Sequence, residues 1–251
     1  MERVRKVALV TGAARGIGRA IAERLADDGH AVALADLHDP AEAVAAIVDR
    51  GGTALGVMMD VADPESVSHA VAEAGELLGS VAILVNNAAL HANPLIALPE
   101  LDFAEWRKLM RVNLDGPFLV SRAVLPGMIA ASWGRIINIT AAATNALTPP
   151  GLTHYIASKA GLTGLTRGLA TDVGAHGITV NAISPSGVVT PGLLEIGVAE
   201  EFMDVVANMQ AIKRLIKLDD IVGVASFLAS SDAAMITGQT IFVDGGAVRT
   251  G

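Results

Sequence analysis

A phenol and an ammonium four residues apart are the first sign of chemistry in this chain. Tyr155 and Lys159 stand in "HYIASK", and Tyr155 is the single tyrosine among 251 residues. On a helix, residues i and i+4 share a face, so this spacing can set the ammonium beside the phenol. A free phenol titrates at about pH 10. A cation close by favours the phenolate and lowers that value. A hydroxyl tuned in this way can give a proton in one direction of a reaction and take it back in the other. Taken alone, the spacing is better read as an interfacial tyrosine with an unrelated surface lysine, so its surroundings must decide.

A second group of residues could hold a ligand for that chemistry. "VTGAARGIG" carries Gly12, Gly16 and Gly18 between an apolar run and an amphipathic one. Glycines there permit a tight turn and close approach of backbone to a pyrophosphate. The free N–H groups at the start of the following helix suit the phosphates, so Arg15, Gly16, Ile17 and Gly18 are candidate cofactor contacts. The Gly-x-x-x-Gly-x-Gly spacing is a variant of the dinucleotide loop. Asp36 closes the next apolar run, where a carboxylate can bond the adenosine ribose and repel a 2′-phosphate. That favours NAD(H) over NADP(H), although a basic Arg15 in the loop pulls the other way. Asp60, with Val61 beside it, could approach the adenine amino group or could cap a helix beginning at Pro64. The histidines show no metal-ligand spacing, so no catalytic metal is expected.

The elements that must position these residues follow one rhythm. Strands are predicted at 6–10, 31–36, 54–60, 81–87, 134–140, 178–184 and 240–246. Helices are predicted between them, over 16–29, 41–51, 64–79, a long stretch around 106–129, 153–174 and 218–230. This alternation predicts a single α/β domain over residues 1–251: a doubly wound, seven-stranded parallel sheet with helices on both faces. In such sheets ligands bind beyond the carboxyl ends of the strands, which is where the candidate residues fall. Hydrophobic residues are 52% of the chain and aromatics 3%, so the core is expected to be built of Ala, Val, Ile and Leu.

Composition excludes other roles. A net charge of -8 disfavours nucleic acid and anionic membranes, which reward clustered Lys and Arg. With no cysteine, disulfide and thiolate chemistry are ruled out, in keeping with a reducing cytoplasm. "MERVRKVALV" lacks the longer apolar region and cleavage site of a signal peptide. The uncharged run from Ile136 to Ser158 carries asparagines, prolines and a histidine, which argues against a membrane span.

With the glycine loop, "NNAA" (86–89), "VNLDG" (112–116) and "YIASK" (155–159) in order, the whole chain resembles the short-chain dehydrogenase/reductase family. The resemblance implies a single Rossmann domain, a homotetramer, and hydride transfer between a nicotinamide and an alcohol or ketone. It makes Tyr155 the acid/base, with Lys159 lowering its pKa and reaching the nicotinamide ribose. Asn113 becomes the asparagine that bends a helix and orders a proton relay. Asn86, Asn87, Ala88 and Ala89 border the cofactor, with Ala89 in a glycine's place. Thr190 contacts the nicotinamide amide, and Pro185 and Val188 lie in the same loop, where the usual Pro-Gly reads Pro185-Ser186-Gly187.

One member of the implied catalytic set is absent. The family's serine, which bonds the substrate oxygen, falls on Ala141 when counted from the fifth strand and on Ala142 when counted back from Tyr155. Thr140 or Thr144 could supply the hydroxyl. Alternatively the site lacks the donor, by nature or by engineering, and the chain binds cofactor with impaired catalysis. His154 is a further candidate for substrate contact. Residues 188–212 are expected to form a substrate lid, apolar through Leu193, Leu194, Ile196, Phe202 and Met203 and without Lys or Arg. They suit a small neutral carbonyl or alcohol.

Overall fold

The computed structural model describes residues 5–92, 95–146, 148, 150–188, 190 and 200–249, with 200–203 described by backbone only. Seven parallel strands form one sheet: β1 (Val7–Thr11), β2 (Ala31–Asp36), β3 (Thr53–Met58), β4 (Val81–Asn86), β5 (Gly134–Ile139), β6 (Ile178–Pro185) and β7 (Thr240–Val243). Their order is β3-β2-β1-β4-β5-β6-β7. The chain therefore runs outward from β1 in one direction, returns, and continues from β4 in the other. That reversal opens a crevice between the carboxyl ends of β1 and β4, the place where doubly wound sheets bind ligands.

The apolar strands read as continuous runs because both faces of the sheet are covered. Alternate residues of β1 show this: Ala8 and Val10 face one core, Val7 and Leu9 the other. The first core receives Ile21, Ala22 and Leu25 of α1 (Gly16–Asp27), Ile47 of α2 (Ala41–Val48), and Ile221 and Ala225 of the last helix. The second receives Ala70 and Ala74 of α3 (Pro64–Leu78), and Val120, Val124 and Met128 of α5 (Gly116–Ala130), with Ala170 and Val173 of α6 (Thr153–Val173). As expected from the composition, small and branched aliphatic side chains fill both layers.

Two stretches differ from the sequence reading. The long helix around 106–129 is divided: α4 (Phe103–Met110) passes through a π-helical turn, Arg111–Asp115, into α5. A wide turn of this kind displaces the helix at one point and is common at functional sites. Within the stretch expected to form a lid, a helix α7 (Glu200–Met209) stands before the expected last helix, α8 (Leu218–Ala229). Leu193, Leu194 and Ile196 of the expected lid lie outside the described residues, as do the side chains of Phe202 and Met203. Among the described residues no helix is long and apolar enough to cross a membrane.

Candidate active site

The glycine loop is built for close approach. Gly12 and Gly16 hold φ of +63° and +61°, left-handed values that side chains strain to adopt. A Cβ at Gly18 would sit 2.2 Å from the Gly12 carbonyl oxygen, and one at Gly12 would sit 2.8 Å from Cα of Ala88. Loop, first helical turn and the end of β4 are thus packed to backbone contact. Asn87 fastens them: its Nδ2 donates to the carbonyls of Thr11 (2.9 Å) and Gly12 (3.0 Å). The hydroxyl of Thr11 in turn accepts from the N–H groups of Asn87 and Ala88, each at 3.0 Å.

Asp36, at the end of β2, accepts from the N–H groups of Ala14 (2.9 Å) and His38 (3.0 Å). Its carboxylate is therefore pinned beside the loop, at the ribose end of a dinucleotide cradle. Thr190 faces the same loop from the far side; an ideal Cβ on Gly16 would lie 3.8 Å from its Cβ. Val188 is buried and bridges to Ile216, and Pro185 ends β6 opposite Val243. Asp60 does not cap α3: Asp63 does, accepting from Glu65 N, while Asp60 takes the N–H of Ala62 at 2.9 Å. Proline at the first helical position leaves Asp63 as the residue just before the helix, where a cap must stand. Val61 is buried against the wide turn, near Gly116. Glycine loop, free helix N-terminus and fixed carboxylate together fit a nicotinamide dinucleotide.

Tyr155 lies in the first turn of α6 and Lys159 one turn on. Lys159 is 3% exposed, and its Nζ donates to the Ile139 carbonyl at the end of β5 (2.8 Å). Burial lowers its pKa to about 8 and raises that of Tyr155 to about 12. The expected lowering of Tyr155 by Lys159 is thus absent from this state. The ammonium is held at the β5 carbonyl, and the loss of water around the phenol dominates.

Asn113 sits in the wide turn and is fully buried. Its Oδ1 accepts from Leu90 N (2.7 Å), and its Nδ2 donates to Leu90 O (2.9 Å) and to Ser158 Oγ (3.2 Å). Ser158 donates on to the carbonyl of Tyr155 at 2.7 Å. One asparagine therefore ties the segment following β4 to the helix of the acid/base pair. Nearby, Asn86 donates to Ser121 and Asn138, and Asn138 to Thr166, stitching β4, β5, α5 and α6 together.

Three side chains here were not singled out from sequence. Thr11 and Ser158 act through neighbours, and their types alone gave no signal. His91 stacks on Tyr155, ring centroids 5.6 Å apart and planes 22° apart. Its position after "NNAA" was the available cue. His154, by contrast, is 5% exposed. Burial lowers its pKa, with Glu105 of α4 as the opposing charge. It faces α4, not the phenol.

The alanines are as empty of donors in space as in sequence. Ala141 is extended and Ala142 begins a short 3-10 turn; both are buried. Thr140 does not turn its hydroxyl toward Tyr155; it donates to the Ile183 carbonyl at 3.1 Å. The Thr144 hydroxyl lies 2.9 Å from the Ala141 carbonyl and 2.8 Å from Asn145 Oδ1.

A family model described as enoyl-(acyl carrier protein) reductase matches residues 12–248. The chain belongs to the short-chain dehydrogenase/reductase family. It is 38% identical to the 3-oxoacyl-[acyl-carrier-protein] reductase FabG of Haemophilus influenzae, over 96% of this chain and 97% of that one. It is 39% identical to the cis-4-hydroxycyclohexanecarboxylate dehydrogenase of Sinomonas cyclohexanicum, over 96% of both. A solved gluconate 5-dehydrogenase from Burkholderia cenocepacia, in complex with NADP and tartrate, superposes with a TM-score of 0.90 at 34% identity, covering 98% of this chain and 96% of that one. As a family member, the chain is an oxidoreductase with the family's Rossmann-type sheet.

Proposed function

We propose that this short-chain dehydrogenase/reductase is NAD(H)-dependent and interconverts a small neutral ketone and its secondary alcohol. The observation that carries the reading is the convergence of Tyr155, Lys159 and Asn113 beside a loop shaped for a dinucleotide. A bound nicotinamide would supply or accept the hydride. The chain supplies the proton: as the carbonyl oxygen gains charge, the Tyr155 hydroxyl gives up its hydrogen to it, and in the alcohol direction the phenolate takes it back. With its pKa raised to about 12, the phenol of the free protein is fully protonated at neutral pH and stands ready for reduction. Oxidation requires the ammonium of Lys159 to favour the phenolate, so its rate rises with pH.

The NAD(H) preference rests on Asp36, whose fixed carboxylate would repel a 2′-phosphate. The Burkholderia relative was solved with NADP, so the test runs NADH and NADPH side by side over a panel of neutral ketones. Turnover with NADH at several-fold lower KM is expected; preference for NADPH overturns the cofactor assignment. Exposed Phe103, Phe118 and Met235 support self-association, in the family's default tetramer, which light scattering would read as about 100 kDa, four times the 25.7 kDa chain.

A second reading draws on Thr140 and Thr144. Their hydroxyls are engaged within the protein and Ala141 and Ala142 offer none, so the chain could bind cofactor and catalyse poorly. Loss of one oxyanion donor costs roughly 10²- to 10³-fold. If Ala141→Ser raises turnover by that factor, the second reading stands.

A further inference from the structure

We propose that His91 contacts the substrate and that its imidazole N–H gives the substrate oxygen the hydrogen bond that alanine at 141 and 142 cannot; the proposal rests on the carbonyl–alcohol reading above. An oxygen that takes its proton from Tyr155 must lie within hydrogen-bond reach of the phenol. His91 is the side chain stacked on that phenol. His91 as a residue keeps contact with solvent, and no hydrogen bond engages either ring nitrogen among the described residues.

Four other donors of the site described above are committed. Lys159 donates to Ile139, Asn113 to Leu90 and Ser158, Ser158 to the Tyr155 carbonyl, and Thr140 to Ile183. Among the described residues of the site, only His91 combines contact with the phenol and ring nitrogens that no hydrogen bond engages. Its place is also prescribed. Asn113 grips both the N–H and the C=O of Leu90, the residue just before His91, so the asparagine that ties down α6 also fixes the backbone carrying the imidazole. A neutral imidazole has one N–H donor and one acceptor. Desolvation, and then the charge of Lys159, hold the ring in that form by lowering its pKa. A serine hydroxyl offers the same pair of functions.

The test uses His91→Phe, which keeps a stacking ring and removes the N–H, alone and combined with Ala141→Ser. Unchanged NADH binding, by fluorescence titration, establishes that each variant is folded. His91→Phe is expected to lower kcat/KM for ketone reduction by roughly 10²-fold, the scale of one lost donor. Ala141→Ser is expected to raise activity far more in the His91→Phe background than alone. A His91→Phe enzyme that retains most of its activity, or a serine that multiplies both backgrounds equally, overturns the proposal.

A second readout does not involve turnover. In the dead-end complex of protein, NAD+ and ketone, the His91 imidazole proton resonance, recognised by its loss in His91→Phe, is expected to shift and to titrate at a new midpoint. No shift in a formed complex overturns the proposal. Protein that binds NADH yet reduces no carbonyl refutes the proposed function and this proposal with it. Active enzyme indifferent to His91→Phe refutes this proposal alone.

Discussion

Replacing Lys159 by methionine should stabilise the free protein at neutral pH while destroying its activity. The side chain is 3% exposed, and burial takes its pKa from 10.5 to about 8. The sign follows from proton binding: between those values the unfolded chain holds a proton that the folded one has lost, so stability rises with pH across the interval. At pH 7 both states are mainly charged, and the folded state bears the full cost of a buried ammonium, about 3 kcal/mol at roughly 1.4 kcal/mol per pKa unit. At pH 9.5 about 1 kcal/mol of that cost remains. Methionine removes this penalty but leaves the Ile139 carbonyl without its donor, a loss of about 1–3 kcal/mol. That loss does not vary with pH. The advantage of Lys159→Met over the natural chain should therefore shrink by about 2 kcal/mol between pH 7 and pH 9.5. For a domain of this length that is a relative shift in Tm of roughly 4–8 °C. Thermal melts of both proteins at the two pH values, without cofactor, measure it. A difference between them that stays flat across the interval would refute the idea that the buried charge is held at a cost.

Three further outcomes follow from the same geometry. Tyr155→Phe should keep NADH affinity and lose roughly 10²- to 10⁴-fold in kcat; because Tyr155 is the sole tyrosine, absorbance at the phenolate band reports on it alone, and the folded free protein should show no phenolate step below about pH 10. Asp36→Ala should weaken NADH binding tenfold or more relative to NADPH, read as the ratio of the two dissociation constants; an unchanged ratio would remove Asp36 from cofactor choice. Asn113→Ala leaves the N–H and C=O of Leu90 without their asparagine partner and removes the hydrogen bond that Ser158 accepts; urea unfolding should show a loss of about 1–3 kcal/mol together with a fall in kcat, and a variant as stable as the parent would mean the clamp is not formed in solution.

How much of this could be read beforehand depends on whether a feature is local. The strands were legible because each is a short apolar run closed by turn residues, and burial of both sheet faces leaves no polar alternation to confuse them. The glycines of the loop were legible because their role is steric and their spacing is short. Asp36 was legible from its place at the end of β2, although nothing in the string showed that two backbone N–H groups would fix both its oxygens. The division of the long helix at Arg111–Asp115 was not legible from periodicity, since a π turn adds one residue without changing residue types. Resemblance alone pointed to Asn113. The direction of the Tyr155 shift in the free protein was not legible for a related reason. Spacing shows that Lys159 can reach Tyr155, but the direction of a pKa shift depends on how much water each group loses, and that is set by α6 lying on β5. His91 is the sharpest case. It stands 64 residues from Tyr155 in sequence, and its place after "NNAA" is the one local cue that the string offers. It becomes interesting only when Asn113, itself placed by the wide turn, holds Leu90 and so brings the imidazole against the phenol. The residue that completes the site is thus the one whose position depends on the feature that local sequence conceals most fully. Other chains of this family lacking the serine should therefore be searched at the position two residues beyond the "NNAA" segment before they are judged inactive.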